Sequence, residues 1–197
     1  MDGARAVHSP AHIVLRESTR AAHEAAEASP LMVRLLSGDL DEGGYRRLLD
    51  LQQALFLEWE NQRGSWLAGA VANAGWRYVS RAQCLATDIG NFGKAPGLVR
   101  EPALAIDGEQ AAWGELYVIE GSALGGRLIV KRLRERFPSL PHHFYAIGES
   151  DTGSWRRFQA VLDRELAGPD ALQAAVDGAL RMFARFQQTL KDDAAHG

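Results

Sequence analysis

The chain has 197 residues, 46% of them hydrophobic and 24% charged, which is enough for one globular domain and too few for two of ordinary size. Its 22 Lys+Arg against 25 Asp+Glu give a formal charge of −3, which argues against a surface built to grip nucleic acid or an anionic membrane. The single cysteine, Cys84, excludes an intrachain disulfide and any metal cage made of several thiolates, so a bound metal would depend on histidine and carboxylate.

Met1 to Pro10 lacks the apolar core of a secretion signal, and no run approaches the ~18 apolar residues a membrane span needs, so a cytoplasmic location is expected. Apolar residues recur at three- and four-residue spacing with almost no β-branched alternation, which predicts an all-α chain. The first helix runs from Ala11 to about Ala28, where Ser29-Pro30 breaks it. A short helical piece from Leu31 to Leu36 ends at Ser37-Gly38. Asp39 and Glu42 then have capping-box spacing for a long helix to about Arg63, with Tyr45, Leu48, Leu49, Leu55, Phe56 and Trp59 as its core stripe. Further helical pieces are expected at Trp66 to Val71 and Trp76 to Leu85, followed by a connection marked by Gly90, Gly93, Pro96 and Gly97. Asp107 with Gln110 offers a cap for a helix from Glu109 to about Phe137, stopped by Pro138 and Pro141. Two last helices cover about Ser154 to Leu166 and Pro169 to Lys191. The whole reads as one domain over residues 11–191, with flexible termini at 1–10 and 192–197.

Two segments carry chemistry. On the first helix Arg16, Arg20, His23 and Glu27 stand at offsets of 0, 4, 7 and 11, so they share one side. Thr19, Ala22 and Ala26 lie beside them, and the small alanines leave space for a cavity. A histidine with a carboxylate four residues later can give its Nδ1 proton to the carboxylate and offer Nε2 to a metal. The same pair also reads as an ordinary i,i+4 surface couple with solvated arginines, and the helix alone leaves both readings open.

The second segment, Tyr117 to Val130, is helical in pattern yet holds Gly121, Gly125 and Gly126, each at a cost of about 1 kcal/mol relative to alanine. Either close helix packing or a flat ligand against the backbone requires the missing side chains. Taken with the His23 stripe, the balance moves toward two helices enclosing a planar ligand.

The pattern Leu15-Arg16, Thr19, His23, Glu27, then Phe56 to Glu60, then Glu120-Gly121-Ser122-Ala123-Leu124-Gly125-Gly126-Arg127 resembles the haem oxygenase family over roughly Ala11 to Leu190. It is most similar to the bacterial type associated with phytochromes. The resemblance implies a multi-helix bundle with haem between the first helix and the glycine-rich one. It implies oxidative cleavage of haem b, at once cofactor and substrate, to biliverdin with release of CO and Fe2+. O2 and electrons from a ferredoxin, flavodoxin or reductase would be consumed, and a bacterial phytochrome could receive the product. His23 matches the iron ligand and Glu27 its hydrogen-bonding partner. Arg16 and Arg20 match positions that face the propionates, with Tyr117 and Arg181 as further haem-binding positions. Gly121, Ser122, Gly125 and Gly126 form the catalytic wall. Many members carry an aspartate that holds a proton-delivering water where this chain has Ser122, so a non-catalytic haem carrier or sensor of the same fold is the alternative reading.

Other constellations are weaker. His23-Glu24 lacks the second histidine of a zincin helix, and no histidine has a glutamate three residues before it as a di-iron bundle needs. Cys84 reads as a packed thiol, and His142-His143 as loop residues beside Pro141. Lys131, Arg132, Arg134 and Arg136 form a basic helix face, suited to solvent or to an acidic electron donor.

Overall fold

A computed structural model describes residues 9–72, 74–92 and 108–191. Among these residues there are eight α-helices and no strand: α1 Ala11–Glu27, α2 Pro30–Ser37, α3 Glu42–Val71, α4 Arg81–Ile89, α5 Glu109–Arg136, α6 His143–Ser150, α7 Ser154–Glu165 and α8 Pro169–Lys191. The all-α expectation holds. Apart from Ser9 and Pro10, the termini expected to be flexible lie outside the described residues, as do Gly93, Pro96, Gly97 and the Asp107 cap.

Several boundaries differ from the sequence expectation for definable reasons. Gly38 closes α2 in the left-handed conformation at φ 84°, and the amides of Asp39 and Leu40 both turn back to the Arg34 carbonyl. That turn moves the start of α3 to Asp41, whose side chain accepts from the Gly44 amide at 2.8 Å, so the cap is Asp41 and not Asp39. α3 then runs past Gly64 to Val71, because Leu67 is buried and Trp66 packs edge-on against Trp113 of α5 at 5.1 Å. Residues 76–80 are not helical: Tyr78 and Ser80 give their hydroxyl protons to Glu60, and Ser80 caps α4. The chain after Pro141 is a helix rather than a loop. Asp88 of α4 accepts from the His143 and Phe144 amides at 2.9 Å each, supplying the N-terminal cap of α6 from a distant part of the chain.

α8 packs against three helices, α5, α1 and α3. It packs along both α1 and α5, whereas α1 and α5 barely touch each other. The α5–α8 crossing is backbone against backbone: a β-carbon on Gly178 would stand 2.2 Å from the Ala111 carbonyl oxygen, and one on Gly114 closer still to that of Ala175. On the side of α5 toward α3, Glu115 accepts from both Arg63 nitrogens Nε and Nη2 and from the Trp59 indole, each at 2.9 Å, so a buried charge pair fixes α3 to α5. No helix of the described residues is long and apolar enough to cross a membrane.

Candidate functional site

α1 turns Leu15, Thr19 and Ala26 into the core, with the Thr19 hydroxyl spent on the Leu15 carbonyl, and thereby turns Arg16, Arg20, His23 and Glu27 outward. The His23 side chain is 58% exposed, so it stands open to solvent rather than enclosed in the cavity that the alanines suggested. Its ring is not loose: Phe183 of α8 meets it edge-on at 5.8 Å, and Gln187, one turn later, donates to the Ala22 carbonyl at 3.1 Å. Glu27 Oε2 lies 3.8 Å from His23 Nδ1, within ion-pair reach and too long for a hydrogen bond. Phe183 and Gln187 escaped the sequence reading. Their i,i+4 spacing on one side of α8 was the available signal.

On α5, Tyr117, Gly121, Leu124, Gly125 and Leu128 stand at offsets that place them along one side of the helix. Leu128 is 70% and Leu124 38% exposed, an apolar surface with glycines between. A β-carbon on Gly125 would meet nothing within 4 Å, and one on Gly121 would only touch Trp155 of α7 at 3.8 Å. Gly126 differs: a β-carbon there would press on the Tyr145 carbonyl oxygen of α6 at 2.8 Å. The two explanations for the glycines therefore divide by residue. Gly126 serves helix packing, whereas Gly125 keeps an open face free of side chain.

Tyr117 is half-buried, stacked obliquely on Trp155 at 5.8 Å. Burial pushes its hydroxyl above the usual range and the charge of Arg16 pulls it back. Trp155 is a third residue the sequence reading missed. Ser122 is exposed, and its hydroxyl donates to the Ile119 carbonyl at 2.7 Å, so its proton is committed to its own helix and its oxygen remains an acceptor. Arg20 and Arg181 are exposed, on α1 and α8.

The other candidates resolve into structure. His142 is buried: its Nε2–H donates to the Phe137 carbonyl at 3.2 Å, which leaves Nδ1 to accept the Tyr45 hydroxyl at 2.9 Å. His143 gives its Nδ1 proton to Asp88 at 2.8 Å. Burial pushes the Cys84 thiol up, as suits a packed thiol rather than a nucleophile. No group of three or more metal-ligating side chains occurs among the described residues, so an iron held here would need His23 alone plus a ligand of its own. A porphyrin meets that requirement, and the glycine and leucine face of α5 fits its apolar plane.

The geometry thus defines an all-helical protein that offers an imidazole on one helix and a bare apolar stripe on another, both supported by α8. The family model for heme oxygenase matches residues 10–96 and 99–192. A heme oxygenase from Xanthomonas campestris pv. campestris is 39% identical over 167 residues, 83% of this chain and 99% of that relative. Among solved structures, the heme oxygenase of Leptospira interrogans superposes with TM-score 0.75 at 19% identity, covering 93% of this chain and 100% of that one. The NO- and CO-bound heme oxygenase of Neisseria meningitidis gives 0.72 at 22%, covering 94% and 92%. Heme oxygenase-1 of the cyanobacterium Synechocystis, in complex with heme, gives 0.73 at 17%, covering 93% and 92%. The chain belongs to the haem oxygenase family, and it is an enzyme that degrades haem.

Proposed function

We propose that this chain, as one functional unit over residues 11–191, binds haem b through His23 and opens it oxidatively to biliverdin, CO and Fe2+. The observation that carries the reading is the exposed His23 ring, fixed by Phe183 and not by burial, in a chain whose α5 keeps a bare stripe at Gly125. Haem supplies the iron at which O2 reacts and the ring that is opened.

The remaining work falls to the chain. His23 would ligate the iron, and Glu27, at ion-pair distance from Nδ1, would orient the imidazole. Arg16 and Arg20 meet the propionates from the same helix edge, and Arg181 does so from α8. Tyr117 and Trp155 close one flank of the plane, and the Leu124–Leu128 surface excludes water from its face. With no side chain at Gly121 and Gly125, this face of α5 would leave room for O2 beside the haem. Ser122 holds a water as an acceptor, since its own proton is directed to Ile119, so protons reach the site through solvent ordered on that oxygen rather than from a carboxylate. Electrons come from a cytoplasmic ferredoxin, flavodoxin or reductase docked on the basic end of α5, and a bacterial phytochrome receives the biliverdin.

The test is a haemin titration followed by turnover. A Soret band that forms with one equivalent of haemin and decays with far-red biliverdin absorption, once reductant and air are supplied, is the expected result. A stable spectrum under the same conditions would overturn the catalytic reading, and an unchanged Soret band in His23→Ala would overturn the ligand assignment.

A further inference from the structure

Two buried carboxylates on α5 lie away from its exposed stripe, and they are held in different ways. Glu115 belongs to the Arg63 and Trp59 contacts that join α3 to α5. Glu120, 7% exposed, directly precedes Gly121 and accepts from Arg81 Nη2 at 2.7 Å, and Arg81 is itself 1% exposed. Burial pushes the Glu120 carboxyl up, while Arg81 holds it down.

Arg81 is unusually constrained for a long side chain. Its guanidinium also donates to the Val79 carbonyl and lies over the Tyr78 ring at 4.8 Å. Its backbone amide donates to Glu60 Oε1 at 2.7 Å. Glu60 accepts three further bonds, from the Tyr78 and Ser80 hydroxyls at 2.8 and 2.7 Å and from the Ala82 amide at 3.2 Å. A continuous polar chain therefore runs from α3 through the first turn of α4 to the α5 residue next to the first glycine. Buried ion pairs contribute little net stability, and their best-attested use is to fix register. The stretch that follows is the least rigid kind of helix, with three glycines in six residues.

Given the haem-oxygenase reading, on which this inference rests, we propose that Arg81 and Glu120 are positioning residues, which fix the height and register of the Gly121–Gly126 segment over the ring and so decide which ring position is attacked. They act through the helix backbone and touch no reacting atom. A displacement of an ångström is large compared with the tolerance of a positioned reaction.

Arg81→Lys and Arg81→Met are compared with Arg63→Met, which removes an equally buried arginine partner of α5 one and a half turns earlier. For each protein we would measure melting temperature, amide exchange at residues 121–126 without haemin, the Soret band with haemin, and the ratio of biliverdin isomers after one turnover. The expected result is that all variants keep the Soret band. The Arg81 variants exchange about tenfold faster at 121–126 and change the isomer ratio about threefold or more, with Arg81→Lys the milder, while Arg63→Met lowers the melting temperature and leaves the ratio alone. Equal isomer ratios in Arg81→Lys and wild type, with a normal Soret band, overturn the proposal, as does an equal change in Arg63→Met. Loss of the Soret band in wild type would instead overturn the haem reading. Should Arg81→Met fail to fold, the Arg81→Lys ratio decides.

Discussion

Gly126 and Tyr145 meet backbone to backbone, so closely that a β-carbon on Gly126 would stand 2.8 Å from the Tyr145 carbonyl oxygen, yet the preceding Gly125 faces nothing within 4 Å. Two neighbouring glycines of one motif therefore respond to alanine in opposite ways. Gly126→Ala must move α6 away from α5 and is expected to cost about 1–3 kcal/mol. Gly125→Ala gains helix propensity, up to about 1 kcal/mol, while placing a methyl on the open face of α5. Thermal melts of the two haem-free variants should move in opposite directions, and only Gly125→Ala should perturb the spectrum of bound haemin without loss of stability.

His23 and Phe183 separate in the same manner. His23→Ala removes an exposed side chain and should leave haem-free stability within about 0.5 kcal/mol of wild type while abolishing the ligated Soret band. Phe183→Ala empties a buried site and should cost about 3 kcal/mol, and the imidazole, having lost its edge contact, should bind haemin more weakly. Equilibrium denaturation beside haemin titration checks both.

Removing Arg63 leaves Glu115 charged, 5% exposed and short of its bidentate partner. Arg63→Met is expected to destabilise by about 3–5 kcal/mol, and the double change Arg63→Met with Glu115→Met should recover most of that loss. Urea midpoints of the two single variants and the double variant test the coupling.

Burial lowers the His142 affinity for protons, while the Phe137 carbonyl and Asp88 favour the charged form against it. The folded value is therefore below the unfolded value of about 6.5, and below that pH the unfolded chain binds the extra proton first. Stability from neutral His142 is complete above about pH 6.5 and declines as pH falls, levelling off once the folded imidazole also protonates. The stability advantage of wild type over His142→Asn should accordingly shrink between about pH 7.5 and about pH 5.5.

The helices that carry their own signals were legible in the sequence. Pro30 and Gly38 bound α2, and the apolar stripe of α3 named its core residues Tyr45, Leu48, Leu49, Phe56 and Trp59, all buried. Where a boundary depends on a partner far along the chain, local pattern failed. α6 is capped by Asp88, and the extended stretch at 76–80 exists because Glu60 collects its donors. No spacing rule connects residues 88 and 143. The same applies to the site: the stripe Arg16, Arg20, His23 and Glu27 followed from helix geometry, whereas Phe183 and Trp155 reach it through tertiary packing. Gly125 and Gly126 are identical in sequence and differ only in what lies opposite.

Because α1 and α5 touch α8 and hardly each other, neither of them sets the distance between the two. That span belongs to a third helix, through Phe183 on one side and Gly178 on the other. A change of volume at Gly178 would alter that spacing while every residue proposed to meet the haem stays the same. Adaptation of this molecule to a bulkier or slimmer tetrapyrrole therefore has a route that leaves its chemistry untouched.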